Sequence, residues 1–285
     1  MLGFLNINKP SGISSNFVLT KIKKKFDIKK IGHMGTLDPL ASGVLPIAIG
    51  KATRMFDYFL NKSKSYYAEF EFGYETSTLD SEGEIINKCD FIPSVDDIKA
   101  VLPKFIGEIY QMPPNFSAKK INGANAYDLA RKNIDFELRP CKIEIKAIDL
   151  VAKISETKYA FNITCGSGTY IRAIGRDIAK ELNTYATMTK LVRTQSGKCF
   201  TLDSSIKLED LLNQSSIEQL LIPIDKVFNF NRFNITNDEY IDLKNGLKTI
   251  KINPFNSNTF VIHNSNVIGV AESNFDYLKI KTNLE

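Results

Sequence analysis

The chain has 285 residues, of which 43% are hydrophobic and 24% charged, a composition that excludes a disordered chain, a collagen and a coiled coil. This length can bury a sizeable core in one large domain or in two unequal ones. No stretch approaches the roughly 18 apolar residues of a membrane-spanning helix, and the apolar start 1–5 lacks the charged beginning of a signal peptide. We therefore expect a cytoplasmic protein with no membrane partner.

The net charge of +5 is unevenly distributed along the chain. Residues 1–64 contain 11 Lys and Arg against three Asp, a net charge of +8, and the remaining residues carry −3. A basic segment on a near-neutral body favours a polyanionic partner, with nucleic acid as the first choice. A lysine-rich helix face that is merely solvated explains the same charge equally well, so both interpretations stay open on charge alone.

Cysteine and histidine usage gives little material for a metal site. The four cysteines are widely separated and form no CxxC pair, so we interpret them as reduced and mostly buried side chains. His33 and His263 are the only histidines of the sequence. We therefore predict no zinc site.

Apolar periodicity predicts a mixture of helices and strands. Val18, Ile22 and Phe26 recur at helical spacing and predict a helix over 14–26 that Ser14 or Ser15 can cap. The further predicted elements are a strand over 66–73, a helix over 94–106 that Pro103 weakens, strands over 142–146 and 159–165, and a helix that opens at 168–169. These elements lack the regular alternation of a parallel sheet, so the predicted fold class is α+β.

The C-terminal part has a different texture. Residues 229–285 are rich in Asn and contain short strand-like runs, such as 260–262 and 267–270 around a turn at 263–266. We predict a small β-rich unit here, which divides the chain into a domain over 1–228 and a second one over 229–285.

The most unusual segment is the glycine-rich run 32–46. Its glycines permit sharp turns, and Pro39 keeps the preceding Asp38 out of helical geometry. An aspartate on such a loop, close to His33, is a candidate nucleophile or general base. An Asx turn, in which Asp38 only bonds its own backbone, is the alternative that the residue types alone favour. No Gly-Lys-Ser/Thr follows the glycines, which excludes a P-loop.

This segment resembles a family signature. It reads Gly32-His33-x-Gly35-Thr36-Leu37-Asp38-Pro39-x-Ala41-x-Gly43-Val44-Leu45 and is similar to the signature of the tRNA pseudouridine synthase B (TruB) family. Further blocks in the family's order are Asn8-Lys9-Pro10-x-Gly12-x-Ser14-Ser15, Lys64-x-Tyr66, Gly73-x-x-Thr76-x-Thr78-x-Asp80-x-x-Gly83, Gln111-x-Pro113-Pro114-x-Phe116-Ser117, Gly166-Ser167-Gly168-Thr169-Tyr170-Ile171-Arg172 and Leu191-x-Arg193-Thr194-x-x-Gly197. The visible departure is Phe116, where the family usually has tyrosine.

The resemblance implies a fold and a reaction. The implied fold is a pseudouridine synthase catalytic domain, with a mixed or antiparallel sheet flanked by helices, followed by a PUA-like RNA-binding domain in the tail. The implied reaction is the isomerisation of uridine 55 in the T-arm of tRNA, on a base flipped out of its stack. This isomerisation changes no redox state and adds no outside group, so no cofactor is implied. The compact length and the absence of basic low-complexity extensions favour a free-standing enzyme that needs no guide RNA. We also expect a monomer.

The resemblance also assigns roles to individual residues. Asp38 is the implied catalytic aspartate, which attacks the base or the sugar carbon or stabilises charge on the sugar. Arg172 is its ion-pair partner, and Tyr66 stacks on the flipped uracil and can move a proton. The implied substrate-binding residues are Tyr66, Tyr170, Leu191, His33, Asp80, Lys9 and Lys120. The ordinary alternative for the tyrosines and the leucine is packing in the core. For Asp80 the alternative is a role in forming a turn, and for the lysines it is exposure to solvent without a partner.

Two rival functions remain open from the sequence. A protein that keeps the fold and binds RNA without chemistry would not need Asp38, Tyr66 and Arg172. An aspartate-based hydrolase of a phosphorylated small molecule would depend on a metal ion. A guide-dependent member of the same superfamily is a closer variant.

Overall fold

The computed structural model describes residues 1–60, 62–117, 119–121, 123–132, 134–247, 257–274 and 277–285. The strands are β1 (Gly3–Lys9), β2 (Ile31–His33), β3 (Ser42–Ile49), β4 (Lys64–Phe72), β5 (Tyr74–Thr76), β6 (Ile85–Lys88), β7 (Gly107–Gln111), β8 (Lys120–Ile121), β9 (Ala124–Asn125), β10 (Cys141–Lys153), β11 (Lys158–Cys165), β12 (Ala186–Ser196), β13 (Phe200–Thr201), β14 (Ile206–Lys207), β15 (Asn231–Asn234), β16 (Thr259–His263), β17 (Asn266–Asn274) and β18 (Tyr277–Asn283). The helices are α1 (Ser15–Lys25), α2 (Phe56–Leu60), α3 (Val95–Val101), α4 (Ala126–Arg131), α5 (Ile171–Glu181), α6 (Leu208–Leu212), α7 (Ile224–Val227) and α8 (Asn237–Lys244), with 3₁₀ turns at Gly50–Met55, Leu102–Phe105 and Glu218–Leu220. No helix among these described residues is long and apolar enough to cross a membrane.

A large mixed sheet organises the first 207 residues. Its main path runs β14-β1-β3-β12-β4-β11-β10-β7, and β2 and β13 pair with β3 and β12. The pairs β1–β14 and β3–β12 are parallel, and the other described pairs of this sheet are antiparallel. Helices α1 and α5 contribute buried side chains to the core cluster of this sheet. The predicted α+β fold with a mixed sheet flanked by helices is confirmed.

Strand β4 and helix α5 meet at the centre of this sheet. Alternate β4 residues from Tyr66 to Phe72 are buried, because successive side chains of a strand point to opposite faces. The apolar stripe Ile171, Ile174 and Ile178 of α5 lies in the same core cluster. The backbone of α5 approaches the sheet so closely that a Cβ atom on Gly175 would overlap the Phe70 ring.

The C-terminal residues form a second, four-stranded sheet in the order β15-β16-β17-β18. The predicted turn is a tight one, in which Asn264 and Ser265 both have positive φ, 47° and 66°, as a two-residue hairpin requires. The strand-rich tail is therefore confirmed, although it also contains α8, which the β-rich interpretation did not include. A capping box between Thr236 and Glu239 starts that helix. The domain division at residue 228 stays a prediction.

Candidate active site

The loop between β2 and β3 carries Asp38 and is held in place by the N-terminal part of the chain. Ser15 Oγ donates a hydrogen bond to the Leu37 carbonyl and accepts one from the Leu37 N–H, both at 2.9 Å. The Gly12 N–H donates to the Pro39 carbonyl at 2.8 Å. The backbone on both sides of Asp38 is therefore fixed by residues of the block 8–15.

Arg193 holds the same loop from β12. Its Nε donates to the Val44 carbonyl at 2.6 Å and its Nη2 to the Gly35 carbonyl at 3.1 Å, and the side chain is almost completely buried. Gly43 of β3 pairs with Arg193 so closely that a Cβ atom on this glycine would overlap the Arg193 carbonyl oxygen. The motif block 191–197 contains Arg193, but no role for this residue follows from the sequence alone.

Arg172 joins Asp38 to two other segments of the chain. Its Nε lies 2.9 Å from Asp38 Oδ2, and its Nη1 lies 3.6 Å from Asp80 Oδ2. The guanidinium also donates to the carbonyls of Thr78, at 2.8 Å, and Phe116, at 3.0 Å. Arg172 is 7% exposed, whereas the Asp38 side chain is 35% exposed. One carboxylate oxygen of Asp38 is thus anchored while the side chain stays accessible.

Asp80 lies behind this ion pair as a buried support. Its Oδ1 accepts hydrogen bonds from Thr78 Oγ1, at 2.5 Å, and from the Glu82 N–H, at 3.1 Å. Its Oδ2 faces Arg172. The tight turn 76–82 therefore orients Asp80, and Asp80 in turn orients the guanidinium.

A cleft of about 520 Å³ opens beside Asp38. Seven of the predicted site residues line it, namely Asp38, Arg172, Tyr66, His33, Tyr170, Leu191 and Asp80. Asn16, Thr78 and Glu82 also line the cleft, and of these three only Thr78 was singled out from the sequence. Thr78 is a fixed position of the motif block 73–83. Asn16 and Glu82 are fixed positions of none of the motif blocks, so nothing in the sequence pointed to them.

Tyr66 and Leu191 form a mostly buried wall of the cleft, 8% and 5% exposed. Burial raises the pKa of the Tyr66 phenol, an effect that the neighbouring Arg193 partly offsets. Tyr66 is therefore a neutral aromatic ring at physiological pH. Such a ring and an aliphatic side chain can contact the faces of a planar ligand.

His33 lies between the cleft and a second, basic cleft of about 380 Å³. The second cleft is lined by Lys23, Lys29 and Lys30. Burial, followed by the nearby Arg193 guanidinium, lowers the pKa of His33 below its usual value, so the ring is neutral at pH 7. The residue can therefore contribute hydrogen bonding and stacking at the junction of the two clefts.

Lys9 has a different place from the one expected of a substrate contact. The side chain is fully buried, and its Nζ donates to the carbonyls of Pro10, Ile13 and Pro39 at 2.9, 2.7 and 3.3 Å. Burial lowers its pKa to about 8. The turn after β1 presents these carbonyls to the ammonium group, so Lys9 supports the Asp38 loop from behind and does not line the cleft.

Lys120 lies in the short strand β8, and its side chain falls outside the described residues. Its expected contact with substrate therefore stays a prediction. Among the described residues, no group of three or more His, Cys, Asp and Glu side chains is arranged to hold a metal ion. The cleft carboxylates Asp38 and Asp80 both face Arg172 instead.

Comparisons with known proteins agree with this arrangement. A family model described as TruB family pseudouridylate synthase (N terminal domain) matches residues 23–171. The tRNA pseudouridine synthase B of Borrelia garinii subsp. bavariensis is 42% identical over 257 residues, which cover 89% of each chain. The enzyme of the same name from Clostridium kluyveri is 42% identical over 260 residues, 91% of this chain and 89% of its own. The chain belongs to the TruB family. The predicted resemblance is confirmed, and this TruB-family chain is a pseudouridine synthase.

A solved structure shares the fold of this TruB-family chain. A chain of an H/ACA ribonucleoprotein, bound to a substrate RNA that contains 2′-deoxyuridine, superposes with a TM-score of 0.73 at 21% identity. The match covers 99% of this chain and 85% of the other. It supports the pseudouridine synthase architecture, including the strand-rich tail.

Proposed function

We propose that this pseudouridine synthase isomerises uridine 55 in the T-arm of tRNA and that Asp38 is its nucleophile. The observation that carries the proposal is the Asp38–Arg172 pair on the wall of a cleft that Tyr66 and Leu191 also line. The name of the curated relatives supports tRNA as the substrate. The implied T-arm position rests on the motif resemblance.

The cleft suits a single flipped nucleotide. In the isomerisation, the bond between N1 of uracil and C1′ of ribose breaks, the base turns, and a bond between C5 and C1′ replaces it. C5 loses a proton and N1 gains one, so atoms and charge balance without a co-reactant. Attack by the Asp38 carboxylate on the base or on C1′ divides this exchange into two easier steps. The neutral Tyr66 ring stacks on the uracil and can move the proton, while Leu191 and Tyr170 confine the nucleotide.

The surroundings of the cleft favour an RNA loop as the partner. His33 connects the cleft to the basic one lined by Lys23, Lys29 and Lys30, where phosphates of the T-arm would bind. The tail, residues 229–285, would add a PUA-like RNA-binding domain to the catalytic domain 1–228. We further propose that the enzyme acts in the cytoplasm as a monomer, without a guide RNA or a cofactor.

The test uses the purified protein and an unmodified tRNA transcript in a chelating buffer. Pseudouridine is mapped by chemical adduct formation and primer extension. We expect one new stop at position 55, lost in Asp38→Asn and retained in Asp203→Asn, which changes an exposed carboxylate of the turn 203–204. Modification at another uridine would reject the substrate assignment. Turnover by Asp38→Asn would reject the nucleophile, and tight binding without modification by the wild type would favour an RNA-binding protein without chemistry.

A further inference from the structure

Gln111 makes an unusual contact with a residue 59 positions further along the chain. It is the last residue of β7 and is 2% exposed. Its Oε1 accepts a hydrogen bond from the Tyr170 N–H at 2.9 Å, and its Nε2 donates to the Tyr170 carbonyl at 3.2 Å. Both ends of one buried amide are therefore satisfied by the backbone of a single residue, much as a neighbouring strand would satisfy them.

Tyr170 is the N-cap of α5, and no side chain of the helix itself caps its first turn. The cap makes no side-chain hydrogen bond to the first turn, and that turn contains no acidic residue. The preceding loop contains Gly166 and Gly168, the latter with a φ of +82°. The carbonyl of Tyr170 also accepts the N–H of Ile174, so it belongs to the first helical turn. Gln111 thus binds the backbone from which α5 begins.

The segment that follows Gln111 continues along the same helix. The Met112 carbonyl accepts a hydrogen bond from Arg176 Nη2 at 2.8 Å. The Phe116 carbonyl accepts one from Arg172 Nη2 at 3.0 Å. Three points on this segment, including Gln111, therefore contact α5 or its cap, and one of them contacts the guanidinium that anchors Asp38.

We infer that Gln111 is a positioning residue of the active site, which sets the first turn of α5 and thereby places Tyr170 and Arg172 opposite Asp38. Tyr170 lines the cleft directly, and Arg172 follows it by two residues. Without the amide, Tyr170 loses both hydrogen bonds to β7, and among the described residues the first turn of α5 is held against the Asp38 loop only through Arg172 and apolar packing. A displacement of about 1 Å at reacting groups can cost about 100-fold in rate. The catalytic consequence rests on the proposed function, whereas the structural one does not.

The first variant is Gln111→Met, which keeps the length of the side chain and removes both hydrogen bonds. We expect a single-turnover rate on tRNA at least about tenfold below wild type, with the dissociation constant for tRNA changed by less than about threefold. The matched control is Tyr159→Phe, which removes a buried hydrogen bond of 2.7 Å to the Pro93 carbonyl, and neither residue lines the cleft. We expect this control to lose stability and keep its rate.

The second variant is Gln111→Glu, whose effect depends on pH. A protonated carboxyl can accept from the Tyr170 N–H and donate to its carbonyl, as the amide does, whereas a carboxylate repels that carbonyl. Burial raises the pKa of such a carboxyl group. Lys119 contacts Cys141 opposite Gln111. The other charged groups nearby on the adjoining elements are Arg172, Arg176 and Asp177 on α5, Lys142 and Glu144 on β10, and Glu108 on β7. We expect the rate relative to wild type to rise as the pH falls from about 7.5 to 5.5, and Gln111→Met to show no such recovery.

Hydrogen exchange of the free protein tests whether Gln111 holds the start of α5, and it needs no activity measurement. Amides of residues 166–176 should exchange faster in Gln111→Met than in wild type and in Tyr159→Phe. Unchanged exchange there, a rate within twofold of wild type, or equal rate losses in Gln111→Met and Tyr159→Phe would each overturn the inference. A wild-type protein that forms no pseudouridine would instead refute the proposed function, and the exchange data would still decide whether Gln111 holds α5.

Discussion

Buried cations around the Asp38 loop bind backbone carbonyls more than carboxylates. Lys9 and Arg193 donate to carbonyls on the two sides of the loop. Lys64 donates to Ser167 Oγ at 2.7 Å and to the Lys62 carbonyl at 3.3 Å. An irregular loop leaves carbonyls without strand or helix partners, and a buried carbonyl needs a donor. Lys9 and Arg193 therefore supply the Asp38 loop with hydrogen bonds that secondary structure would otherwise supply, whereas Lys64 holds the segment around Ser167.

This arrangement predicts a pH dependence of stability. Burial, together with the Arg193 charge, lowers the pKa of Lys64 to about 8. In the unfolded chain the ordinary value of 10.5 applies, so between these two pH values the unfolded state binds more protons. The contribution of Lys64 to the free energy of unfolding should therefore rise with pH in this window, by up to about 1.4 kcal/mol per pH unit.

Urea unfolding between pH 7.5 and 10 measures this contribution as the difference between wild type and Lys64→Met. The difference removes the titration of groups that do not interact with Lys64. Lys99→Met, at an exposed lysine of α3, is the control and should show no pH-dependent difference from wild type. Parallel curves for wild type and Lys64→Met would contradict the prediction.

At the scale of elements, the parallel pairing of β3 with β12 depends on Gly43. This glycine has a φ of +96°, and its missing Cβ leaves room for the Arg193 backbone. We expect Gly43→Ala to lower the free energy of unfolding by about 1–3 kcal/mol more than Gly107→Ala. Gly107 is a matched control because its φ is +98° and nothing lies within 4 Å of the place where its Cβ atom would stand. Chemical denaturation compares the two variants, and equal losses would show that backbone strain alone is responsible.

Helices and strands are predictable because apolar periodicity, capping residues and proline act within a short stretch of the chain. The helix predicted over 14–26 is α1, capped by Ser14 at the expected end. The helix predicted over 94–106 is wrong in its second half, because α3 ends at Val101 and Pro103 lies in a 3₁₀ turn. The helix predicted from 168 onward begins at Ile171, after the cap at Tyr170.

The arrangement of the site depends on contacts between distant parts of the chain. The motifs contain Gln111 and Arg193 as fixed letters, yet a motif does not state what a side chain binds. Arg193 donates a hydrogen bond to the Val44 carbonyl, 149 positions away in the sequence. Lys9 donates one to the Pro39 carbonyl, 30 positions away. Hydrophobic periodicity carries no information on such pairs, because it reports only which face of an element is buried. The buried position of Lys9 behind the Asp38 loop could not be predicted for the same reason.

At the scale of the whole molecule, the large sheet and the four-stranded sheet of the tail share apolar contacts. Phe228 packs against Phe4 and Phe59, with ring centroids 6.0 and 5.9 Å apart. Phe260 of the tail belongs to the same buried cluster. Arg54 also donates to the Asn283 carbonyl at 2.7 Å. The tail is therefore held against the large sheet by a common apolar core.

The basic N-terminal portion of the chain predicts that tRNA binding depends on salt. Lys23, Lys29 and Lys30 converge on the cleft that His33 joins to the Asp38 site, so phosphates beside a flipped nucleotide would meet them. Each phosphate contact releases counterions, and the logarithm of affinity falls with the logarithm of salt by about 0.7–0.9 per contact. Replacing the three lysines by Gln should therefore weaken tRNA binding and flatten its salt dependence.

The decisive comparison is between binding and turnover. The single-turnover rate at saturating tRNA should stay near wild type in this triple variant, because phosphate contacts position RNA and do not enter the chemistry. The control replaces Lys88, Lys99 and Lys207, three exposed lysines outside both clefts, and should leave the salt slope unchanged. An equal loss in both triple variants would mean that net charge alone attracts the RNA. An unchanged slope in the cleft variant would leave that cleft without a role in binding, and the lysine-rich face would then be merely solvated.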